Sequence, residues 1–295
     1  MKLNLSLECA VENAAELTVE DFKQKYFLAQ KPVLIKGLAK LQPAGKKWTI
    51  EWFKETMGDI EVDVFDFNIK KYAYSTIANT DFKLPFREFL DNISSDEVSS
   101  IRMFRYDLYK KNRSLRKDFS CPEYINRGPM KKLGFMFLAG KDDDVRLHYD
   151  VDNSNVLLTQ IQGSKRIILF PPDQGKYLYK VPFTTISLAD LKVIDFDKWP
   201  GLKFAKGYEI IQEEGDCIFM PSGYWHYNTY LEPGISVAFR KLAHTPKGKL
   251  RGISALIFSM PFDKIMSKFF GDKWYRRKKK RCLEAVATSI EGRVN

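Results

Sequence analysis

Three histidines occur among 295 residues, His148, His226 and His244, few enough to weigh each as a ligand. His148-Tyr149-Asp150 is an H-x-D element. In a strand, residues two apart face the same side, so this imidazole and carboxylate would converge. That spacing alone is a weak sign, because acidic residues are common. His226 follows far downstream, at the start of a strand-like run that leaves the turn Pro221-Ser222-Gly223-Tyr224. Two histidines and one carboxylate from two strand ends can occupy one face of a metal ion. Three positions then stay open for a bidentate co-substrate and oxygen, the 2-His-1-carboxylate arrangement of non-haem Fe(II) oxygenases. A histidine hydrogen-bonded among aromatic neighbours in a core explains any one of these residues equally well. It explains the three together poorly. His244, in Ala243-His244-Thr245-Pro246, lies outside the pattern and reads as a loop histidine. Lys165 opens a later strand, where alternation could turn it inward to meet a dicarboxylate as a point charge. The bland alternative is a solvated turn lysine.

Residues that converge from distant positions need a rigid scaffold, and from Leu133 the texture is short β segments between turn signals. Leu133–Ala139 is an apolar run ended by Gly140. Val156–Ile161 and Arg166–Phe170 flank Gln162-Gly163-Ser164-Lys165, which reads as a hairpin. Asp216–Met220 and Trp225–Leu231 flank Pro221-Ser222-Gly223-Tyr224, a second one, and Ile235–Phe239 follows Pro233-Gly234. Such a series predicts a mainly β fold with flanking helices, a sandwich or jelly roll and not a doubly wound sheet. Upstream the pattern is mixed. Thr18, with Asp21 three residues on, caps one helix, and Thr49 caps a second that opens at Trp48. Lys31–Gly37 is a short apolar strand closed by glycine. Residues 84–127 alternate polar and aromatic positions at helical spacing. There is no internal repeat and no glycine-rich phosphate loop.

The formal charge of +11 is unevenly spread. From Lys241 onward, 14 basic and 4 acidic residues leave +10, so the body before it is nearly balanced. That excludes a uniformly cationic protein that coats nucleic acid. At 44% hydrophobic and 14% aromatic residues the chain can bury a sizeable core, which excludes wholesale disorder. Cys9, Cys121, Cys217 and Cys282 form no CxxC pair for zinc or redox chemistry. Glu8 and Glu12 fall where a signal peptide needs an apolar run. No stretch approaches the roughly 18 apolar residues of a spanning helix. We expect a soluble protein from a reducing compartment, most simply cytoplasmic, with no transmembrane segment.

The stretches His148–Pro172, HYDVDNSNVLLTQIQGSKRIILFPP, and Glu214–His226, EGDCIFMPSGYWH, resemble one oxygenase family. It is the JmjC, or cupin-like, branch of the Fe(II)/2-oxoglutarate-dependent oxygenases, the branch of the HIF asparaginyl hydroxylase. KPVLIKGLAK and the KWTIEWFKE helix resemble its usual lead-in, so the likeness runs from about Leu17 to Lys241. The resemblance implies a double-stranded β-helix (a jelly roll, or cupin) with helices on its amino-terminal side. An oxygenase domain would span residues 1–245, followed by a helical, strongly basic appendage at 246–295. It further implies a hydroxylase that converts 2-oxoglutarate to succinate as co-substrate. His148, Asp150 and His226 would bind Fe(II), and Lys165 the distal carboxylate of 2-oxoglutarate. Two residues are added after the H-x-D relative to the asparaginyl hydroxylase, and Asn155 is favoured over Asn153 for the co-substrate shell. Val145 stands where many relatives carry Thr or Ser. Arg240 stands where that hydroxylase has an asparagine facing the metal region. It could be a second carboxylate anchor, a ligand for an anionic substrate or an outward-facing cation. A cupin metalloenzyme that ignores 2-oxoglutarate and a non-catalytic jelly-roll binding protein are the rival readings. Substrate choice is expected to lie in loops such as Tyr179–Lys206.

The last segment is helical in texture. Phe262, Ile265, Met266, Phe269 and Phe270 fall on one helical face, followed by seven cations in Lys273–Arg281. An apolar face of this kind must be covered, by the barrel or by the same helices of a second subunit, making a homodimer. An interfacial helix on an anionic membrane is a third outcome, and phosphate contact with an RNA substrate a fourth.

Overall fold

The computed structural model describes residues 2–66, 80–95, 97–126 and 133–294. Its strands in chain order are β1 (Asn4–Leu7), β2 (Ala10–Asn13), β3 (Val33–Lys36), β4 (Glu61–Asp66), β5 (Phe82–Pro85) and β6 (Ile101–Tyr106). Then come β7 (Gly134–Ala139), β8 (Asp144–His148), β9 (Asn155–Gln162), β10 (Lys165–Phe170) and β11 (Lys206–Gln212). The last three are β12 (Cys217–Met220), β13 (Trp225–Tyr230) and β14 (Gly234–Lys241). They form two facing sheets, ordered β1-β11-β10-β13-β8 and β2-β3-β12-β9-β14-β7-β6-β4-β5. This is the expected jelly roll. Strands such as KRIILF and CIFM are apolar on both sides because both sides are covered. Between the sheets lies a core of Val156, Leu158, Ile167, Leu169, Ile210 and Ile218. Behind the larger sheet the amino-terminal helices bring Phe22, Trp48, Phe53 and Phe89.

The two turn signals do not make hairpins. β9 pairs with β12 and β14, whereas β10 pairs with β11 and β13. Each turn carries the chain from one sheet to the other. Local chemistry specifies a reversal and leaves the partner strand open. The reading of 84–127 as helical is also corrected. Phe86–Ser94 is a helix, but Ile101–Tyr106 is a strand held between β4 and β7, where tertiary pairing overrides local periodicity; residues 96 and 127 lie outside the described ones. Thr18 and Thr49 cap as expected, accepting from the amides of Asp21 and Trp52 at 3.1 and 3.0 Å.

The appendage packs onto the barrel. Its first helix, Pro246–Ser254, presses Gly252 against the loop after β8. A Cβ there would lie 2.1 Å from the Asp152 carbonyl oxygen, so only glycine fits. Asn153 Nδ2 also donates to the Gly248 carbonyl at 3.0 Å. The long helix Met260–Val294 is broken at Gly271, whose φ of 44° turns it back on itself. Asp263 before the break accepts from Trp274 Nε1 (2.7 Å) and Lys278 Nζ (2.6 Å) after it. Trp274, Lys278, Cys282 and Val286, four residues apart, make the buried stripe. It faces the segment Tyr177–Leu202, which is not an open loop but part of a core behind the smaller sheet. Among the described residues no helix is long and apolar enough to cross a membrane.

Candidate active site

Two neighbouring strands bring the triad together. His148 ends β8, and its cross-strand partner on β13 is His226. Their rings lie 4.1 Å apart, centroid to centroid. Asp150 follows on the same side as His148, while Tyr149 between them points behind the sheet and packs edge-on against Trp225 at 4.8 Å. The candidate ligands face inward and the aromatics outward, so the aromatic pair clamps the two strands that carry the histidines. The segment 184–188 supports β8 from its free edge, with Tyr149 N donating to Thr185 O (3.0 Å) and Ser187 N to Leu147 O (2.9 Å).

Metal-ligating atoms of His148, Asp150 and His226 all lie within 4.8 Å of one another. His148 Nδ1 sits 2.8 Å from the Arg146 carbonyl, and His226 Nδ1 3.3 Å from that of Tyr224. A carbonyl only accepts, so each Nδ1 carries the proton and each Nε2 keeps its lone pair. Burial pushes both imidazoles down, His148 to about 3, which keeps them neutral. Burial pushes the Asp150 carboxyl upward, but the surrounding positive field, Arg240 first and then His226, His148 and Arg105, together outweighs it and holds the group below its usual range. Two neutral imidazoles and an ionised carboxylate are the donor set that Fe(II) takes.

Lys165 is inside the barrel. It is 2% exposed and donates to Ser236 Oγ at 2.5 Å, with its ammonium 4.1 Å from the Tyr230 ring centre. Ser236 Oγ in turn donates to Gln160 Oε1 at 2.7 Å. Among the described residues no carboxylate lies at ion-pair distance from Lys165. Burial lowers it from 10.5 to about 7, with the charge of Asp143 opposing. Along β10, Leu169 is the residue opposite His226. Four residues at ~3.3 Å each put Lys165 about 13 Å along the strand from that level, a gap that a lysine and a five-carbon diacid share.

Arg240 is not an outward-facing cation. It is 9% exposed and donates to Asp150 Oδ1 at 2.7 Å, with Asp152 Oδ1 at 3.5 Å. It holds a candidate ligand in place. Asn155 points away from the barrel interior. It shares a face of β9 with Leu157 and Ile161, which pack behind the larger sheet, while Val156, Leu158 and Gln160 face the interior. Its oxygen accepts from Gln30 Nε2 and the Ser222 amide, both at 3.0 Å, and its Nδ2 donates to Leu242 O at 3.2 Å. Asn155 pins strand ends together. Asn153 lies in the loop after β8, bound to the appendage. The partners of Lys165 escaped sequence reasoning, although Tyr230 lies an even number of residues from His226 and Ser236 from Arg240.

Fold and triad together define a jelly-roll metalloenzyme. A family model described as a cupin-like domain matches residues 19–239, and the chain belongs to that family. The tRNA wybutosine-synthesizing protein 5 of Gallus gallus is 28% identical over 245 residues, 75% of this chain and 73% of that protein. Lysine-specific demethylase JMJ30 of Arabidopsis thaliana is 28% identical over 250 residues, 79% of this chain and 55% of its own length. Jumonji C domain-containing protein 5 of Drosophila melanogaster is 26% identical over 244 residues, 78% and 59% respectively. The chain is an Fe(II)- and 2-oxoglutarate-dependent oxygenase of the JmjC type.

Proposed function

We propose a hydroxylase in which His148, Asp150 and His226 hold Fe(II) and Lys165 receives the distal carboxylate of 2-oxoglutarate. Lys165 carries this reading. An ammonium taken out of water without a counter-charge is costly, and a dicarboxylate entering the barrel removes that cost. A cupin metalloenzyme indifferent to 2-oxoglutarate has no use for this lysine. A non-catalytic binding protein has no use for a desolvated triad with both tautomers set.

Fe(II), 2-oxoglutarate and oxygen together supply oxidative decarboxylation of the co-substrate to succinate and transfer of one oxygen atom to a substrate C–H bond. The chain prepares the site. The carbonyls of Arg146 and Tyr224 fix which nitrogen each histidine offers. Arg240, with the other positive groups around it, keeps Asp150 ionised, and it restrains one of its oxygens. Ser236 holds the Lys165 ammonium in place before the diacid arrives, and Lys165 keeps its proton when paired with that carboxylate. The walls of Val156, Leu158, Ile167 and Leu169 keep water out.

For partners, a second copy of the chain is the occupant we favour for the apolar face of residues 250–270. Phe258, Phe262, Ile265, Phe269 and Phe270 are all exposed there in the single chain. The outward cations Lys273, Arg276, Arg277, Lys279, Lys280 and Arg281 then remain for a polyanion. An RNA substrate, the kind named in the wybutosine-synthesizing relative, suits that ridge better than an anionic membrane, whose apolar contact would compete with the second copy.

Anaerobic protein loaded with Fe(II) should develop an absorption band on adding 2-oxoglutarate, and should form succinate slowly in air without substrate. His148→Ala should abolish both. Absence of the band and of succinate in the unaltered protein rejects this reading.

A further inference from the structure

Arg105 stands out among the cations around the triad. It has φ of 55°, in the left-handed region that non-glycine residues rarely occupy. It lies where β6 and β7 change register, between the pairs Met103–Leu138 and Tyr106–Met136. Irregularities of this kind re-aim a side chain. The guanidinium is laid across the Phe135 ring, 5.6 Å from its centre. Phe135 is only partly buried, and it lies opposite Ala238 on β14, two residues before Arg240 on the same face. Phe137 continues this wall on β7, with Phe104 edge-on at 5.3 Å. Arg105 is exposed, yet the packing around its guanidinium lowers its pKa, Arg240 lowers it further, and Asp150 and Asp152 oppose.

Two other arginines of this region have work already. Arg240 is taken by Asp150 and Asp152, and Arg102 by Asp143. Among the described residues Arg105 makes no hydrogen bond or ion pair. A strained backbone that lays an exposed guanidinium on an aromatic wall of the strand next to β14, which carries Arg240, is what a substrate anchor requires.

We propose that Arg105 binds an oxyanion of the substrate, a phosphate or a carboxylate, with an adjoining flat or apolar part on Phe135 and Phe137. Arg105 thereby selects the substrate and sets which carbon meets the metal. This rests on the hydroxylase reading above and narrows its substrate to anionic molecules. A guanidinium fork matches either oxyanion, and charge-assisted hydrogen bonds of this type are the strong ones.

The probe is phenyl phosphate, with benzoate and neutral phenol beside it, added to full-length protein carrying Mn(II) and 2-oxoglutarate. Paramagnetic broadening of the phosphorus or carboxyl-carbon resonance reports binding near the metal without any turnover. Phenyl phosphate or benzoate should be broadened, and phenol should bind far more weakly. Arg105→Ala should weaken the anionic probe about tenfold or more, with Arg105→Lys between the two. Arg105→Gly, which suits the positive φ, should match the alanine variant if the loss comes from the guanidinium. Affinity for 2-oxoglutarate should not change in any variant. Equal probe affinity in all variants, phenol binding as tightly, or 2-oxoglutarate binding without any probe binding overturns the proposal. Failure of Mn(II) and 2-oxoglutarate to bind the unaltered protein overturns the hydroxylase reading instead.

Discussion

Lys165 is the residue whose chemistry is most exposed to test. Replacing it by methionine should weaken 2-oxoglutarate by about 10- to 100-fold in a titration and leave metal affinity unchanged, since a charge-assisted bond contributes ~1.5–3 kcal/mol. Its depressed value, about 7 against 10.5, also fixes a pH dependence. Only the ammonium attracts the diacid, so affinity should be flat below about pH 7 and fall as pH rises through it. Stability of the unliganded protein should move the other way. Between those two values the unfolded chain binds more protons at Lys165 than the folded one, so stability rises with pH there, by up to ~1.4 kcal/mol per unit. Denaturation midpoints of Lys165→Met should lack that rise between pH 7 and 9. At this scale much of the site was legible. His148, Asp150 and His226 were readable because alternation within a strand is a local rule. Asn155 was not, because two added residues leave the register open and a slip of one turns every side chain to the opposite face. Arg240 could be located but not given a role, since its partner Asp150 is 90 residues away in sequence.

Strands place the ligands, and the weight falls on residues that never touch them. Trp225 is 2% exposed and stands edge-on to Tyr149, behind the two ligand strands. Trp225→Ala should cost about 3–5 kcal/mol in chemical denaturation. Iron affinity should fall as well, because β8 and β13 lose what holds them in step. An unchanged iron affinity in the folded variant would show that the pairing of the strands suffices. Sequence patterning exposed six of the eight strands from β7 to β14, those whose apolar runs are bounded by turn residues, and passed over β8 and β11. It could not assign partners. The turns at Gly163 and Gly223 have hairpin chemistry, but whether the next strand stays in its sheet is settled by long-range packing. β6 was lost for the same reason, since Phe104 and Tyr106 earn their strand geometry from β7 and the inner wall.

The whole molecule divides as its charge does, but less simply. Of the seven cations in Lys273–Arg281, Lys278 is 2% exposed and ion-paired with Asp263. Its period of four with Trp274, Cys282 and Val286 was visible, but the hairpin fold at Gly271 that supplies Asp263 was not. The apolar face beside the ridge, with Phe258 at 68% and Phe269 at 73% exposure, predicts self-association. Sedimentation should find a dimer whose stability is insensitive to salt, and Phe258→Glu with Phe269→Glu should yield a folded monomer. A monomer at every concentration of the unaltered protein would reject this assignment. Gly252 then bears on how any role of the appendage can be dissected. Because it seats against the carbonyl of Asp152, two residues past a candidate iron ligand, the carboxy-terminal segment is not a detachable module. Stopping the chain at residue 245 would strip the backing from the H-x-D loop. A truncated protein that neither bound RNA nor turned over would report a collapsed iron site and leave the ridge unjudged. Genetic separation of docking from chemistry has to proceed by neutralising surface lysines one at a time, with the backbone of the appendage intact.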